Sequence, residues 1–172
     1  RMDDALAELN AALALYRQLG DKWGVATVLN QLGSVAITTG DYTRAGAYLD
    51  DAIALMRGLG SRRTGLAVSL NALGRIVLAQ GDGARAVALF EEALDIFAER
   101  NVREGLAWSY INLGLAGLQA GDQRAAARSL RLCLDLYVEL DMIVGITASL
   151  NGLAALAAAQ ESLADAARLA GA

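Results

Sequence analysis

Apolar side chains recur at three- and four-residue spacing along nearly the whole chain, which is the pattern of amphipathic α-helices. Residues 3–19 carry this pattern first, and Gly20 follows as a residue that readily adopts the left-handed conformation closing a helix. Later segments begin with short side chains that accept hydrogen bonds from the free amides of a first helical turn. These predicted N-caps are Asp21, Ser61, Asn101 and Asp141.

A glycine–aspartate pair divides each of the next three segments near its middle. The glycine is expected to end one helix and the aspartate to begin the next. The pairs are Gly40-Asp41, Gly81-Asp82 and Gly121-Asp122. The last segment has Gln160-Glu161-Ser162 instead, where we expect a weaker turn. The chain is therefore predicted to be all-α and built from antiparallel helix hairpins, which bury their apolar faces by stacking.

Glycine also stands in the middle of the first predicted helix of three hairpins, where it costs about 1 kcal/mol of helix stability relative to alanine. The positions are Gly33, Gly74 and Gly114, with Ala154 in the last segment. Each is followed by an alanine on the second helix, at Ala45, Ala86, Ala126 and Ala166. Because small residues let two backbones approach, we expect the two helices of each hairpin to pack closely at these points.

The segment Ser69–Leu94 combines these features, since Leu73-Gly74 is followed by Ala86, Phe90 and Ala93. The same arrangement recurs as Leu32-Gly33 with Ala45, Leu49 and Ala52, and as Leu113-Gly114 with Ala126, Leu130 and Cys133. On these residues the chain resembles the tetratricopeptide repeat family over essentially its whole length. Its period of 40–41 residues exceeds the usual length of about 34, and no proline closes a repeat. Such longer repeats resemble those of bacterial signal-transduction ATPases, transcriptional regulators and kinesin light chains.

The resemblance implies a single right-handed α-α superhelix, a solenoid of helix hairpins, over residues 1–172. Residues 3–19 match the second helix of a repeat whose first helix is missing, through Ala5, Leu9 and Ala12. The predicted repeats are 21–60, 61–100 and 101–140, with a partial repeat over 141–172.

Composition narrows the chemistry that we expect of this chain. Histidine is absent, which removes the commonest general base and metal ligand, so the sequence predicts no enzyme, no metal site and no cofactor. The net charge is −4 and no long basic run occurs, which disfavours direct nucleic-acid binding. The single cysteine, Cys133, stands where other repeats have alanine and is predicted to be buried and unreactive. One cysteine also fits a reducing, cytoplasmic location.

In the tetratricopeptide repeat family the first helix of each repeat lines a concave groove, and the resemblance implies the same surface here. The predicted first-helix segments 26–39, 67–80, 107–120 and 147–160 contain one charged residue, Arg75. A nearly neutral groove suits a peptide or a protein segment. The predicted binding residues are Thr27, Asn30, Ser34, Val68, Asn71, Arg75, Trp108, Ile111 and Leu115.

Several of these residues also have a structural interpretation. Asparagines near the centres of the first helices either hold neighbouring helices in register or bind the backbone of a peptide. They are Asn30, Asn71, Asn112 and Asn151. Arg75 suits a carboxylate or phosphate; alternatively it forms a salt bridge with a nearby acid such as Asp82, or its head group is simply exposed to solvent. Trp108 either anchors a partner or packs against the adjacent repeat.

An uncharged run over residues 142–160 is long enough to be tested as a membrane span. Four polar residues interrupt it, and it keeps the register of the repeats. A buried first helix is therefore the favoured interpretation. The interrupting residues are Thr147, Ser149, Asn151 and Gln160.

Taken together, these features predict a non-catalytic module that binds a protein, a peptide or another segment of the same chain. The resemblance implies a sensor or scaffold region of a larger cytoplasmic regulatory protein of a bacterium, with a role in signal transduction or transcriptional regulation. Neither a membrane nor a nucleic acid is an expected partner. The alternative is self-association, in which helix 3–19 or helix 161–169 docks on a second copy and forms a homodimer.

Overall fold

The computed structural model describes the backbone of residues 2–59 and 63–170, and the side chains of residues 4–59 and 64–162. The chain divides into two compact units, residues 1–100 and 101–172, at the boundary predicted between the second and third repeats. The first unit contains α1 (Met2–Leu19), α2 (Lys22–Thr38), α3 (Tyr42–Arg57), α4 (Arg63–Ala79) and α5 (Gly83–Glu99). The second contains α6 (Arg103–Ala120), α7 (Gln123–Glu139) and α8 (Ile143–Ala170).

Within each unit, helices that follow one another in the chain pack against each other. The helix pairs α2–α3, α4–α5 and α6–α7 form the three predicted hairpins. In the first unit α1 also packs on α2, and α3 packs on α4. In the second unit α7 packs on α8. The all-α architecture of helix hairpins is therefore confirmed.

Left-handed glycines and aspartate caps form the hairpin turns where the sequence predicts them. The glycines Gly40, Gly81 and Gly121 have φ angles of 80°, 92° and 73°. The carboxylates of Asp41, Asp82 and Asp122 each accept a hydrogen bond from the amide three residues later, at 3.0–3.1 Å. Asp21 caps α2 in the same way, because it accepts a hydrogen bond from the Gly24 amide at 3.0 Å.

Two of the predicted N-caps are wrong. Asn101 and Asp141 have φ angles of 53° and 55° and lie in the left-handed region just after the ends of α5 and α7. Asparagine and aspartate tolerate this conformation better than other non-glycine residues, so both close the preceding helix instead of capping the next. Val102 then precedes α6 without a side-chain cap. The predicted cap at Ser61 lies outside the described residues.

The mid-helix glycines lie where a side chain of the second helix presses on the first. A Cβ atom on these glycines would come within 2.4–3.0 Å of the opposing side chain. The pairs are Gly33 with Leu49, Gly74 with Phe90, and Gly114 with Leu130. The partner alanines Ala45, Ala86 and Ala126 are fully buried, which confirms the predicted close packing. Ala166 lies among residues whose side chains are not described.

The last helix differs from the prediction. α8 continues from Ile143 to Ala170, so the turn predicted at Gln160-Glu161-Ser162 does not form, and 161–169 is not a separate helix. None of those three residues favours the left-handed conformation that ends the other helices, and helical geometry therefore continues. α8 packs on α7, and buried residues lie on one face of its described part. They are Gly145, Ser149, Gly152 and Leu156.

In the described part of α8, residues 143–162, most of the remaining surface is exposed. Its segment Ile143–Ser162 has a mean hydropathy of 1.5 and is 17% buried, and by length and composition alone it passes the test for a membrane span. One such helix is weak evidence, because core helices of repeat proteins pass the same test. The prediction that this first helix is buried is wrong for most of its described residues, because no helix of the described structure covers its outer side. Leu150, for example, is 50% exposed.

Candidate functional site

The centres of α2 and α4, two consecutive first helices, are joined by a side-chain hydrogen bond. The buried hydroxyl of Ser69 on α4 lies 2.7 Å from Oδ1 of Asn30 on α2, to which it donates. The same hydroxyl lies 3.0 Å from the Gly65 carbonyl of its own helix. The bond sets the register of the two helices, so Asn30 has the structural role that the sequence offered as one alternative.

Arg75 on α4 is the one charged residue among the predicted binding residues. Its side chain is exposed and makes no ion pair or hydrogen bond with the residues that the structure describes. Asp82, the partner that the sequence suggested, instead accepts a hydrogen bond from the Arg85 amide at the start of α5. The salt-bridge interpretation of Arg75 is therefore wrong, and its exposed guanidinium agrees with both other interpretations, simple exposure of the head group and binding of a ligand.

The other predicted residues of the first unit differ in their exposure. Ser34 and Val68 are exposed, Val68 at 40%. Thr27 is half-buried, and its hydroxyl donates to the Trp23 carbonyl at 2.9 Å. Asn71 is fully buried, although it is the sequence equivalent of Asn30. The prediction that Asn71 lies on a binding surface is therefore wrong, because its amide does not reach solvent.

The predicted residues of the second unit all lie on α6. Trp108 and Ile111 are half-buried, and Leu115 is 44% exposed. Ile111 packs against the buried cluster of Ala107, Cys133 and Tyr137, so only part of its side chain is free to contact a partner. The neighbouring Asn112 is 2% exposed, which favours a structural role for it as well.

A comparison of sequences identifies the repeats. The sequence profile of the tetratricopeptide repeat matches residues 1–58, 24–99 and 65–137 of this chain. The chain belongs to the tetratricopeptide repeat family. No curated protein sequence matches it.

Solved structures confirm the fold as a solenoid of tetratricopeptide-like hairpins. BtubC (BKLC) from P. vanneervenii has a TM-score of 0.72 at 19% identity over 91% of this chain and 65% of its own. The apo form of RapI has a TM-score of 0.74 at 19% identity over 91% of this chain and 45% of its own. A kinesin light chain of Podosopora anserina with nearly identical TPR-like repeats gives 0.72 at 19%, over 99% and 84%.

At 19% identity these likenesses concern the fold alone. The chain spans 65% and 45% of the length of the first two relatives, so those proteins contain further structure beyond the matched part.

One tetratricopeptide position that the sequence analysis passed over carries a buried serine in three helices. Ser69, Ser109 and Ser149 are fully buried on α4, α6 and α8, each four residues after a glycine. Ser149 lies 2.8 Å from the Gly145 carbonyl, in the same way that Ser69 lies near Gly65. Their recurrence about every forty residues was the signal that could have found them.

Cys133 is fully buried, as predicted, and its sulfur lies 2.9 Å from Ser149 Oγ. Burial raises the pKa of the Cys133 thiol, and the hydrogen bond with Ser149 opposes part of that change. Because the thiolate is the reactive form, this environment keeps the cysteine unreactive. Among the described residues there is also no group of three or more acidic, cysteine or histidine side chains arranged to hold a metal ion.

Proposed function

We propose that this chain is a non-catalytic recognition module that binds a protein or peptide segment on the face formed by the first helices α2 and α4. Tetratricopeptide repeats are generally protein–protein interaction modules, and the chain belongs to that family. The observation that carries the proposal for this chain is Arg75, an exposed guanidinium without a partner in the described part of the structure. It is the one charged residue in the first-helix segments 26–39, 67–80, 107–120 and 147–160.

The surroundings of Arg75 suggest the chemistry of the bound segment. A guanidinium presents paired donors that match a carboxylate or a phosphate, and such charge-assisted hydrogen bonds are stronger than neutral ones. Ser34 on α2 and Val68 on α4 are also exposed, and neither of them carries a charge. The segment that fits is therefore one with a single acidic group and apolar or small neighbours.

Replacing Arg75 by alanine is expected to weaken binding of such segments by about tenfold or more, because a hydrogen bond to a charged group contributes roughly 1.5–3 kcal/mol. The probe is a set of peptides selected on the wild-type chain from a random library displayed on phage. Affinities are then measured by calorimetry for Arg75→Ala and for a control, Arg128→Ala, which removes an exposed arginine from the second helix α7.

Because Arg75 is exposed and unpaired, neither variant should change helical content or melting temperature. Acidic peptides that bind Arg75→Ala as tightly as the wild type would remove this residue from the recognition face. A selection that yields no peptide with an acidic group would also contradict the proposed chemistry.

The wider context is part of the proposal. The chain would act as the sensor or scaffold region of a larger cytoplasmic regulatory protein of a bacterium, without direct contact with nucleic acid or membrane. Two observations support this context: two solved relatives are longer than the matched part, and the long repeat period resembles that of such regulators.

Self-association is a second candidate, favoured by exposed apolar surface on α1 and α8. Ala5, Leu9 and Ala12 of α1 are half-exposed, although the equivalent residues of α3 are buried. On α8, Ile143 and Val144 are 74% and 84% exposed. Either surface would dock on a second copy of the chain and form a homodimer.

Light scattering coupled to size-exclusion chromatography tests this candidate. If α8 forms the contact, Val144→Glu should convert a dimer to a monomer, because a buried carboxylate without a partner is strongly unfavourable. Glu104 occupies the same place in the preceding repeat, so the substitution suits the helix start. A wild-type chain that stays monomeric at high concentration would rule this candidate out.

A further inference from the structure

A cavity of about 530 Å³ opens between α1, α2 and α3 in the first unit. It lies on the opposite side of α2 from the proposed recognition face. At about 100° per residue, Val25 and Leu29, which line the cavity, lie roughly 160° around the helix axis from Thr27. A ligand in this cavity would therefore not compete with a segment bound beside Arg75.

The cavity has an apolar wall. Val25 and Leu29 of α2 contribute to it, and Leu55 and Ala54 of α3 complete it. Val25 and Leu29 belong to the core of the first unit, and Leu55 packs against that core, so this wall is held in place by the fold. Its volume is within the range of about 300–1,000 Å³ that is typical of small-molecule sites.

The other wall of the cavity is polar and carries an excess of positive charge. Arg17 of α1 and Lys22 of α2 are two cations, and Asp51 of α3 is one anion. Within the described part of the chain, none of these three side chains makes an ion pair or hydrogen bond. The half-buried Tyr16 adds a hydroxyl without a described partner. The free donors outnumber the acceptor carboxylate, so the cavity is suited to an anion.

The next repeat shows why these charges are free. One repeat further along the chain, Arg57 and Glu92 occupy the places of Arg17 and Asp51, and their side chains meet at 2.8 Å. This ion pair joins two successive second helices, α3 and α5. Asp51 is one methylene shorter than glutamate, and it does not reach Arg17. Both side chains are therefore unpaired beside the cavity, and this methylene is the one chemical difference between their pair and the pair of Arg57 and Glu92.

We propose that this cavity binds a small organic anion with an apolar body, with its carboxylate at Arg17 and Lys22 and its hydrocarbon part on Val25, Leu29 and Leu55. Two cations give charge-assisted hydrogen bonds to the carboxylate. The apolar wall removes the hydrocarbon from water. A medium-chain fatty acid and the terminal leucine of a peptide both present this chemistry.

Calorimetric titration of the whole chain with matched probes tests the proposal. Octanoate is expected to bind one per chain, and octanol, which has the same hydrocarbon but no charge, at least about tenfold more weakly. A tripeptide ending in leucine is compared in its acid and amide forms, and the tighter of octanoate and peptide acid identifies the source of the ligand. Equal affinity of octanoate and octanol, or no binding of either acid at millimolar concentration, would overturn the proposal.

Two substitutions one residue apart locate the site. Asp51→Glu restores the missing methylene and should recreate with Arg17 the ion pair seen between Arg57 and Glu92, which would weaken octanoate binding by about tenfold. Asp50→Glu makes the same chemical change at an exposed neighbour that does not line the cavity and should bind like the wild type.

Ala54→Leu tests the apolar wall independently. Ala54 is exposed at the cavity and outside the core, so leucine should fill the space without unfolding the hairpin. Octanoate binding should then be lost. Undiminished binding by both Asp51→Glu and Ala54→Leu would contradict the assignment, whereas loss in both with unchanged melting temperatures supports it.

Discussion

Phe90→Ala is expected to lower the free energy of unfolding of the chain by about 3–5 kcal/mol, the range for truncation of a buried phenylalanine. The ring of Phe90 on α5 is fully buried. Its Cε1 atom lies 2.4 Å from the place that a Cβ of Gly74 would occupy, so the ring fills the space left by that glycine on α4. Alanine at 90 would leave a cavity, because Gly74 has no side chain to fill it. Urea denaturation followed by circular dichroism measures the change.

Two further variants separate this packing from a general loss of core volume. Phe90→Leu should lower the free energy of unfolding by less than about 1.5 kcal/mol. Leucine already occupies the equivalent position in the other two hairpins, at Leu49 and Leu130. Gly74→Ala should destabilise the wild type, where the ring opposes the added methyl group, and stabilise Phe90→Ala, where the space is empty. Additive effects of the two substitutions would show that Gly74 and Phe90 are not coupled.

The positions of these contacts could be predicted from the sequence, because they follow from a repeated pattern. Glycine in the middle of a helix is unfavourable, and its recurrence at Gly33, Gly74 and Gly114 indicated a packing constraint. The glycine–aspartate pairs likewise located the turns, since each residue has a separate physical role there. Repetition strengthened both predictions, because several independent segments agreed.

The errors arose where a residue has two possible local roles. Asn101 and Asp141 are good N-caps and also tolerate the left-handed conformation, and the structure uses the second property. Asn30 and Asn71 occupy the same repeat position, yet one is half-buried and the other fully buried. Burial depends on the neighbouring helix, which sequence position alone does not describe.

The two candidate sites, at Arg75 and at the cavity beside Arg17 and Asp51, differ in whether the sequence alone could predict them. Arg75 could be found from the sequence, because it is the one charged residue in the predicted first-helix segments 26–39, 67–80, 107–120 and 147–160. The cavity beside Arg17 and Asp51 could not, because three helices form it and its rim depends on one missing methylene. The sequence shows that Asp51 and Glu92 occupy equivalent repeat positions. That the glutamate forms an ion pair could be learned only from the distance between Arg57 and Glu92 in the structure.

Gly117→Ala is the second substitution with a large expected effect, a net loss of up to about 2 kcal/mol of stability. Gly117 is buried on α6, and a Cβ there would lie 2.8 Å from the backbone nitrogen of Ala126 on α7. Backbone atoms cannot move aside as the end of a flexible side chain can, so α6 and α7 would have to separate. Such overpacking typically lowers the free energy of unfolding by about 1–3 kcal/mol. The helix preference of alanine offsets about 1 kcal/mol of this cost.

Gly46→Ala is the matched control, since Gly46 is also inside a helix but has no atom within 4 Å of an added Cβ. At Gly46 the added methyl group meets no atom, so only the higher helix propensity of alanine changes the stability. It should raise the free energy of unfolding by about 0.5–1 kcal/mol. The two substitutions are therefore expected to change the free energy of unfolding in opposite directions. If Gly117→Ala also stabilised the chain, α6 and α7 would not be held together at this point. The equivalent residues Ala36 and Val77 carry side chains, so close backbone contact at Gly117 would be a specific feature of the α6–α7 hairpin.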